Sequence, residues 1–247
     1  MRIIADLHTH TIVSGHAFGT LAENCAAAAA RGLQCIATTD HGPAIPGAPT
    51  ALFFRCATLV PRELHGVQVL AGAEINIIDA DGNLDLEDNL RAGLDFALIG
   101  FHPYTCYATN NCAANTAALL AALARPGVDC VAHADDHHFP VDLEAVVPAA
   151  RRAGVIFEIN NRSFIATRKG DGSNVRRLAA LCRQHDLPVV VTSDAHNQLQ
   201  IGCVSQALAM LAEVSFPQEL VLNADPARLQ AWLAPRHPHK RTRELVS

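Results

Sequence analysis

The feature that most constrains the fold of this sequence is an alternation of short apolar runs with longer stretches rich in Ala and Leu. Runs rich in β-branched residues have the length of buried strands, and they are residues 3–7, 35–39, 67–71, 96–101, 128–132, 155–159 and 188–192. Helical apolar spacing is found between most of them, at residues 21–31, 115–124, 143–153 and 174–185. Alternating strands and helices predict a parallel sheet covered by helices.

This rhythm, kept up over 247 residues, favours a closed or nearly closed barrel. A doubly wound open sheet is the alternative, and it is less favoured because no Gly-rich phosphate fingerprint follows the first run. No linker-like segment divides the chain. We therefore expect a single α/β domain over residues 1–235 and a solvated C-terminal tail over residues 236–247, in which His237 and His239 are surface residues.

Composition and charge limit the expected cellular location and the expected binding partners. Half of the residues are hydrophobic, enough for a substantial core, whereas the net charge of -5 and the absence of a basic stripe argue against a nucleic-acid partner. No window resembles a signal peptide or a membrane span, so we expect a soluble, cytoplasmic protein without a membrane partner. The eight cysteines form no Cys-x-x-Cys pair, and we expect them to be reduced.

Six of the seven predicted strands run into potential metal ligands. The carboxyl ends of the strands of a parallel barrel open on one face, so ligands far apart in sequence should converge there. An extended His8-Thr9-His10 segment points both imidazoles to one side, which Asp6 shares, and Asp194-Ala195-His196 repeats this period-two spacing. Such nitrogen and oxygen ligands suit zinc, manganese or iron. The potential ligands are Asp6, His8, His10 and His16 after the first run, then Asp40 and His41, Glu74, His102, His133, and finally Asp194 and His196.

These motifs resemble the polymerase-and-histidinol-phosphatase (PHP) superfamily along nearly the whole chain. The resemblance is carried by Asp6-Leu7-His8-Thr9-His10, Thr39-Asp40-His41-Gly42, Glu74, Gly100-Phe101-His102, His133 and Ser193-Asp194-Ala195-His196. A branch of small bacterial PHP phosphatases is the most similar, because Glu158-Ile159-Asn160-Asn161, Ser163-Phe164 and Arg168-Lys169-Gly170 also fit it. One departure is Ala134-Asp135-Asp136-His137-His138, where related phosphatases carry a loop with Pro and Gly. Substrate choice could differ there.

The resemblance implies a distorted (β/α)7 TIM-like barrel and a trinuclear centre of three divalent metal ions, with zinc foremost and manganese or iron as alternatives. Glu74 would bridge two of the ions, since a carboxylate has two oxygens. Carried over position by position, the metal ligands are His8, His10, His16, His41, Glu74, His102, His133, Asp194 and His196.

The expected activity is that of a metal-dependent phosphatase, a phosphoric ester hydrolase acting on a small phosphorylated molecule. A hydroxide that bridges two ions would attack phosphorus. Asp194 would be catalytic, because it could hold a metal and also relay a proton. Arg168 is the expected substrate-binding cation, with Lys169 second, because a guanidinium can hold two phosphate oxygens at once.

Two other functions are compatible with parts of the pattern. An amidohydrolase-type C–N hydrolase also uses His-x-His on its first strand, but Glu74, His16 and His41 exceed a binuclear ligand set and no lysine ends a middle strand. A non-catalytic, metal-holding accessory module typically loses ligands, whereas this set is complete. The sequence leaves the substrate, the metal and the oligomeric state open.

Overall fold

The computed structural model describes residues 1–165 and 170–236, and within them eight strands form one sheet. Seven strands are parallel and neighbour one another in the order β1-β2-β4-β5-β6-β7-β8. Each contains part of a predicted run, so the predicted α/β barrel of seven strands is confirmed. The strands are β1 (Ala5–Thr9), β2 (Cys35–Thr38), β3 (Glu63–Leu64), β4 (Val67–Asn76), β5 (Phe96–Gly100), β6 (Cys130–Val131), β7 (Ile156–Asn160) and β8 (Val189–Thr192).

The strand that the sequence did not indicate is β3, which pairs antiparallel with the start of β4. His65 and Gly66 connect the two, and both have positive φ, as a tight two-residue hairpin turn requires. β3 is not buried, so unlike the equally short but buried β6 it leaves no apolar run in the sequence, which is why it was missed.

Eight α-helices surround the sheet in the described residues. The four predicted helices are present, and only α4 begins as much as three residues away from its predicted start. The helices are α1 (Leu21–Ala30), α2 (Ala51–Arg55), α3 (Asp88–Arg91), α4 (Cys112–Ala122), α5 (Leu143–Ala153), α6 (Ser173–Gln184), α7 (Ser205–Glu213) and α8 (Pro226–Leu233).

Local sequence explains where these helices begin and end. Thr20 and Glu23 form a capping box that starts α1, and the Asp142 side chain accepts hydrogen bonds from backbone amides in the first turn of α5. Gly154 ends α5 with a φ of 73°, a left-handed conformation that glycine adopts without strain. None of the helices in the described part of the chain is both long and apolar enough to cross a membrane.

The strands are buried on both faces. Every residue of β1, β2, β5, β7 and β8 is buried, which explains why β2, β5 and β8 are apolar almost throughout their length. Phe96 and Phe157 are among the largest fully buried side chains of one contiguous core. The boundary between a domain of residues 1–235 and a tail of residues 236–247 stays a prediction, because residues 237–247 lie outside the described part of the chain.

The barrel is distorted between β1 and β8. These two strands are joined by side chains more than by a ladder of backbone hydrogen bonds. Thr9 and Ala195 form an isolated parallel bridge at one end of this seam. At the other end Asn223 inserts between the strands, where its amide donates to the carbonyls of Ala5 (2.8 Å) and Val191 (2.6 Å) and its oxygen accepts from the Val191 amide (3.0 Å). The side chain of Asn223 thereby replaces the missing rungs of the sheet.

Candidate metal centre

All nine residues predicted to be metal ligands come together at the carboxyl edge of the barrel. They form one connected group in which each side chain has a polar atom within 3.6 Å of another member of the group. They come from segments as far apart in sequence as His8 and His196, because parallel strands all end on the same face. Most of the group is buried, and His16 is its exposed member.

Glu74 lies at the middle of the group. Its Oε1 is 2.8 Å from His133 Nε2 and 3.0 Å from His102 Nε2, whereas its Oε2 is 2.9 Å from His41 Nδ1 and 3.3 Å from His8 Nε2. The two carboxylate oxygens thus face different imidazoles, an arrangement suited to a carboxylate shared by two cations. Glu74 lies inside β4, which continues to Asn76, rather than after the end of the strand as predicted.

A second part of the group surrounds Asp194. The Nε2 atoms of His8 and His10 are 3.0 Å apart, and Asp194 Oδ1 is 3.6 Å from the first and 3.3 Å from the second. His196 continues the group outwards, with its Nδ1 3.4 Å from Asp194 Oδ1 and its Nε2 3.1 Å from His16 Nε2. Nitrogen donors of His10, His41 and His196 also lie within 4.8 Å of one another.

The donor geometry fits cations. Two ligands that bind one zinc ion at 2.0–2.1 Å in a tetrahedral arrangement are about 3.4 Å apart, which is close to these separations. The buried Nδ1 of His41 is the clearest case: it lies 2.9 Å from a Glu74 oxygen yet makes no hydrogen bond. A buried ring nitrogen without a hydrogen bond is costly unless a cation binds it. The residues present therefore fit a group of divalent ions.

The protonation states of three imidazoles favour metal binding. Burial lowers the pKa of His10, His41 and His196, which keeps these rings neutral with a lone pair available. His8 is different: burial would lower its pKa, but the charges of Glu74 and Glu158 outweigh burial and raise the pKa to about 10. The Glu74 pKa lies well below its ordinary value because neighbouring histidines, His8 first, outweigh the effect of burial.

Glu158 is a site residue to which the sequence assigned no role. It lies in β7 and accepts hydrogen bonds from His8 Nδ1 (2.6 Å), the His133 amide (2.8 Å), the Asn160 side chain (2.9 Å) and the Thr192 hydroxyl. Binding His8 through Nδ1 turns Nε2 toward Glu74 and Asp194. A carboxylate that orients a metal-binding histidine in this way fixes its tautomer and increases its basicity. The available signal was a glutamate between the apolar residues Phe157 and Ile159 of a strand.

Asp40 supports His10 in a similar way, through a hydroxyl. The Asp40 carboxylate accepts hydrogen bonds from the Thr11 amide (2.7 Å) and the Ser14 hydroxyl (2.7 Å), and Ser14 Oγ is 3.0 Å from His10 Nδ1. Nε2 of His10 is left to face Asp194. Asp40 was noted as a potential ligand because it follows a strand, and the structure instead places it behind the group.

The backbone at Asp194 differs from the predicted extended segment. β8 ends at Thr192, and Asp194 has a φ of 53°, in the left-handed region that costs energy for a residue with a side chain. Asp6 explains the bend, because its carboxylate accepts from the Ser193 amide (3.1 Å), the Ser193 hydroxyl (2.5 Å) and the Gly202 amide (2.8 Å). Asp6 thus anchors the loop instead of facing the group beside His8.

A cavity of about 820 Å³ opens onto seven of the nine residues, all but the fully buried His8 and His10. Its wall includes the aromatic side chains of Phe101, Tyr104 and Phe139 and the guanidinium of Arg162. Nη1 of Arg162 is 2.9 Å from His196 Nδ1, and its Nε is 3.9 Å from Asp194 Oδ2, so this cation lies at the edge of the group. The two predicted substrate-binding residues, Arg168 and Lys169, lie outside the described residues.

The fold and the site together define a class: parallel α/β barrels that gather histidines and carboxylates at the carboxyl ends of their strands. The chain belongs to the PHP domain family, whose family model matches residues 6–162. The resemblance seen in the sequence is thereby confirmed.

Curated relatives extend this match to almost the whole chain. A probable phosphatase of Clostridium botulinum (strain Hall) is 40% identical over 94% of this chain and 95% of its own length. A probable phosphatase of Thermoanaerobacter sp. (strain X514) is 36% identical with the same coverage. Among solved structures, histidinol phosphate phosphatase from Lactococcus lactis, complexed with zinc, L-histidinol and phosphate, superposes with a TM-score of 0.62 at 16% identity, covering 88% of this chain and 95% of that one. At that identity the likeness supports the fold.

Proposed function

We propose that this protein is a metal-dependent phosphatase that hydrolyses a small phosphorylated molecule. The observation that carries the proposal is the Glu74 carboxylate, each of whose oxygens faces buried imidazoles at the base of an open cavity. Membership of the PHP domain family and the names of the relatives, probable phosphatases matched along 94% of this chain, support it.

Three divalent ions, zinc foremost, would be held by the nine residues, with Glu74 shared between two of them. Bound ions of this kind lower the pKa of a coordinated water and neutralise phosphoryl oxygens. The chain's own residues prepare the site for that chemistry: Glu158 and the Asp40–Ser14 pair orient His8 and His10, and burial lowers the pKa of His10 and His41 and so keeps them in their neutral, ligating form.

Arg162 is the described residue that best suits the phosphate of a substrate. It lines the cavity, it is partly buried, and its guanidinium can present two N–H groups to two phosphate oxygens. Arg168 and Lys169, which lie outside the described residues, remain proposed contributors. Asp194 remains the proposed catalytic residue: Oδ1 faces His8 and His10, whereas Oδ2 accepts from Asn160 (3.1 Å), which holds the carboxylate in place to accept a proton.

The cavity limits the size of the substrate. A volume of about 820 Å³ is within the range of small-molecule sites, roughly 300–1,000 Å³, and the aromatic wall offers apolar contact to the part of the substrate that carries the phosphate. A phosphomonoester of metabolite size fits these dimensions.

Hydrolysis of a C–N bond is less well supported by the same residues. The binuclear amidohydrolase centre named as the alternative relies on a lysine that ends a strand. The sequence has two lysines, Lys169 and Lys240, and the eight strands of the described residues contain none.

The substitution Glu74→Gln tests the proposal, with Glu219→Gln as an exposed control of the same chemistry. We expect the Glu74 variant to lose bound metal and the ability to hydrolyse an aryl phosphate. The amide of glutamine is neutral and has only one oxygen, so it cannot present a negatively charged oxygen to the imidazoles on both of its sides. The control should keep both. Metal content, by elemental analysis, and turnover are measured on the same samples. A Glu74 variant with the metal content and turnover of the control would refute the proposed function.

A further inference from the structure

A second group of potential metal-ligating side chains follows His133. It consists of Asp136, His137 and His138, and we refer to it as the mouth cluster. Asp136 is buried whereas both histidines are exposed, and donor atoms of all three residues lie within 4.8 Å of one another. Nδ1 of His138 is 2.8 Å from Asp136 Oδ1, and the two imidazole rings are 4.0 Å apart, centre to centre.

The mouth cluster shares a cavity with the candidate metal centre but no residue. Asp136 and His138 line the 820 Å³ cavity beside Arg162, whereas His137 lines a neighbouring cavity of about 450 Å³ together with Gly170. His133, three residues earlier, directs its Nε2 to Glu74 at 2.8 Å and so belongs to the central group.

Hydrogen bonds hold the cluster in a defined shape. The Asp136 amide donates to the His133 carbonyl (2.9 Å), the Phe139 amide donates to the Asp136 carbonyl (3.1 Å), and the His138 amide donates to Asp136 Oδ1 (2.9 Å). The donors are therefore close together before any ion arrives, which reduces the entropy lost on binding.

The chemistry of the donors selects the kind of cation. Two nitrogens and one carboxylate suit zinc and its neighbours in the transition series, whereas magnesium and calcium prefer sites made of oxygen alone. Three protein ligands leave further positions for water.

We propose that Asp136, His137 and His138 form an additional, exchangeable binding site for a transition-metal ion of the zinc class, at the mouth of the cavity and separate from the central group. It binds its ion more weakly than the centre does, because it has three ligands and two of them are exposed to solvent. An ion bound there adds positive charge to the wall of the cavity.

The test compares metal binding by the zinc-loaded, full-length protein with that of the double variant His137→Asn/His138→Asn. His65→Asn is the matched control, because His65 is exposed, lies far from the cluster in sequence, and has a positive φ that asparagine tolerates. Each protein is loaded with zinc, freed of weakly bound metal by gel filtration, and then titrated with zinc chloride in a calorimeter.

We expect the wild type and the His65 variant to take up one further equivalent of zinc, which the double variant does not bind, while all three retain the same tightly held metal. Cobalt chloride added to the zinc-loaded proteins should give visible absorption with the wild type and the His65 variant but not with the double variant. Magnesium chloride should give no heat with any of them. An equal additional uptake by the double variant would overturn the proposal, as would its loss of the tightly held ions, since the cluster would then be part of the centre. If the double variant is unfolded by circular dichroism, His138→Asn alone serves, and unchanged uptake of the additional equivalent would likewise overturn the proposal.

Discussion

Replacing Glu158 with glutamine removes one charge from behind the candidate metal centre, and the volume of the side chain stays nearly the same. The carboxylate accepts hydrogen bonds from His8, the His133 amide, Asn160 and Thr192, and all four are donors. An amide has a single acceptor oxygen, so its NH2 group must face at least one of these donors. The substitution therefore breaks a buried charged interaction and creates a clash of donors.

Two consequences of the substitution have expected magnitudes. Loss of a carboxylate that orients a metal-binding histidine typically weakens metal affinity about 10–100-fold, which corresponds to roughly 1.4–2.7 kcal/mol. Removing one partner of a buried charge pair costs about 3–5 kcal/mol, so the metal-free protein should lose about 3 kcal/mol of its free energy of unfolding.

The pH dependence follows from the pair. Burial would raise the pKa of Glu158, but His8 lowers it from 4.5 to about 2, so its stabilising contribution is present above pH 4.5 and is lost as the pH falls toward 2. The raised pKa of His8 contributes stability that is fully present below its ordinary value of 6.5 and is lost as the pH rises toward about 10. The stability difference between wild type and Glu158→Gln should therefore be largest between pH 4.5 and 6.5.

Two assays measure these effects: competition with a chelator for the bound metal, and urea unfolding of the metal-free protein at several pH values. Glu144→Gln is the control, because it makes the same substitution at an exposed glutamate paired with Arg177. The reasoning is refuted if the Glu158 variant matches this control in metal affinity and in unfolding, or if its stability difference from wild type does not vary with pH.

Three further outcomes are expected. Asn223→Ala should lower the free energy of unfolding in urea by about 3 kcal/mol, because three backbone groups at the β1–β8 seam lose their hydrogen bonds, and an unchanged urea midpoint would contradict this. Arg162→Lys should lower kcat/KM for an aryl phosphate by roughly 10–100-fold, because the guanidinium fork is lost, whereas the exposed Arg176→Lys should not. Burial raises the pKa of Cys25 to about 11 and of Cys182 to about 12, so a thiol reagent should modify the native protein first at other cysteines, and early modification of either buried thiol in a mass-mapped time course would contradict this. Those first modified should be Cys56, Cys106 and Cys112.

The sequence predicted the barrel well because a parallel strand covered on both faces must be apolar throughout. This rule fails where a strand carries site residues. β4 continues five residues past the predicted run, and the prediction stopped short because the buried residues Glu74 and Asn76 interrupt the apolar pattern. The pattern likewise missed β3, whose pairing depends on a turn rather than on burial.

The nine proposed ligands could be predicted to converge because strand ends of a parallel barrel meet on one face. Their supports could not be predicted, since they depend on contacts across the barrel. Glu158 is 150 residues from His8, and nothing local in the sequence indicates that they touch. Asp194 was predicted to be extended. The bend before it depends on hydrogen bonds from Ser193 to Asp6, which the sequence pattern does not show.

The central claim is that the nine residues bind divalent ions on which phosphoester hydrolysis depends. The most direct measurement is the metal content per chain together with the hydrolysis of an aryl phosphate, on the same sample, before chelation, after chelation and after zinc or manganese is restored. We predict three tightly bound ions per chain, loss of both metal and turnover on chelation, and recovery of both on restoration. Turnover that survives the removal of the metal, or a protein that hydrolyses amides but not phosphoesters, would contradict the account.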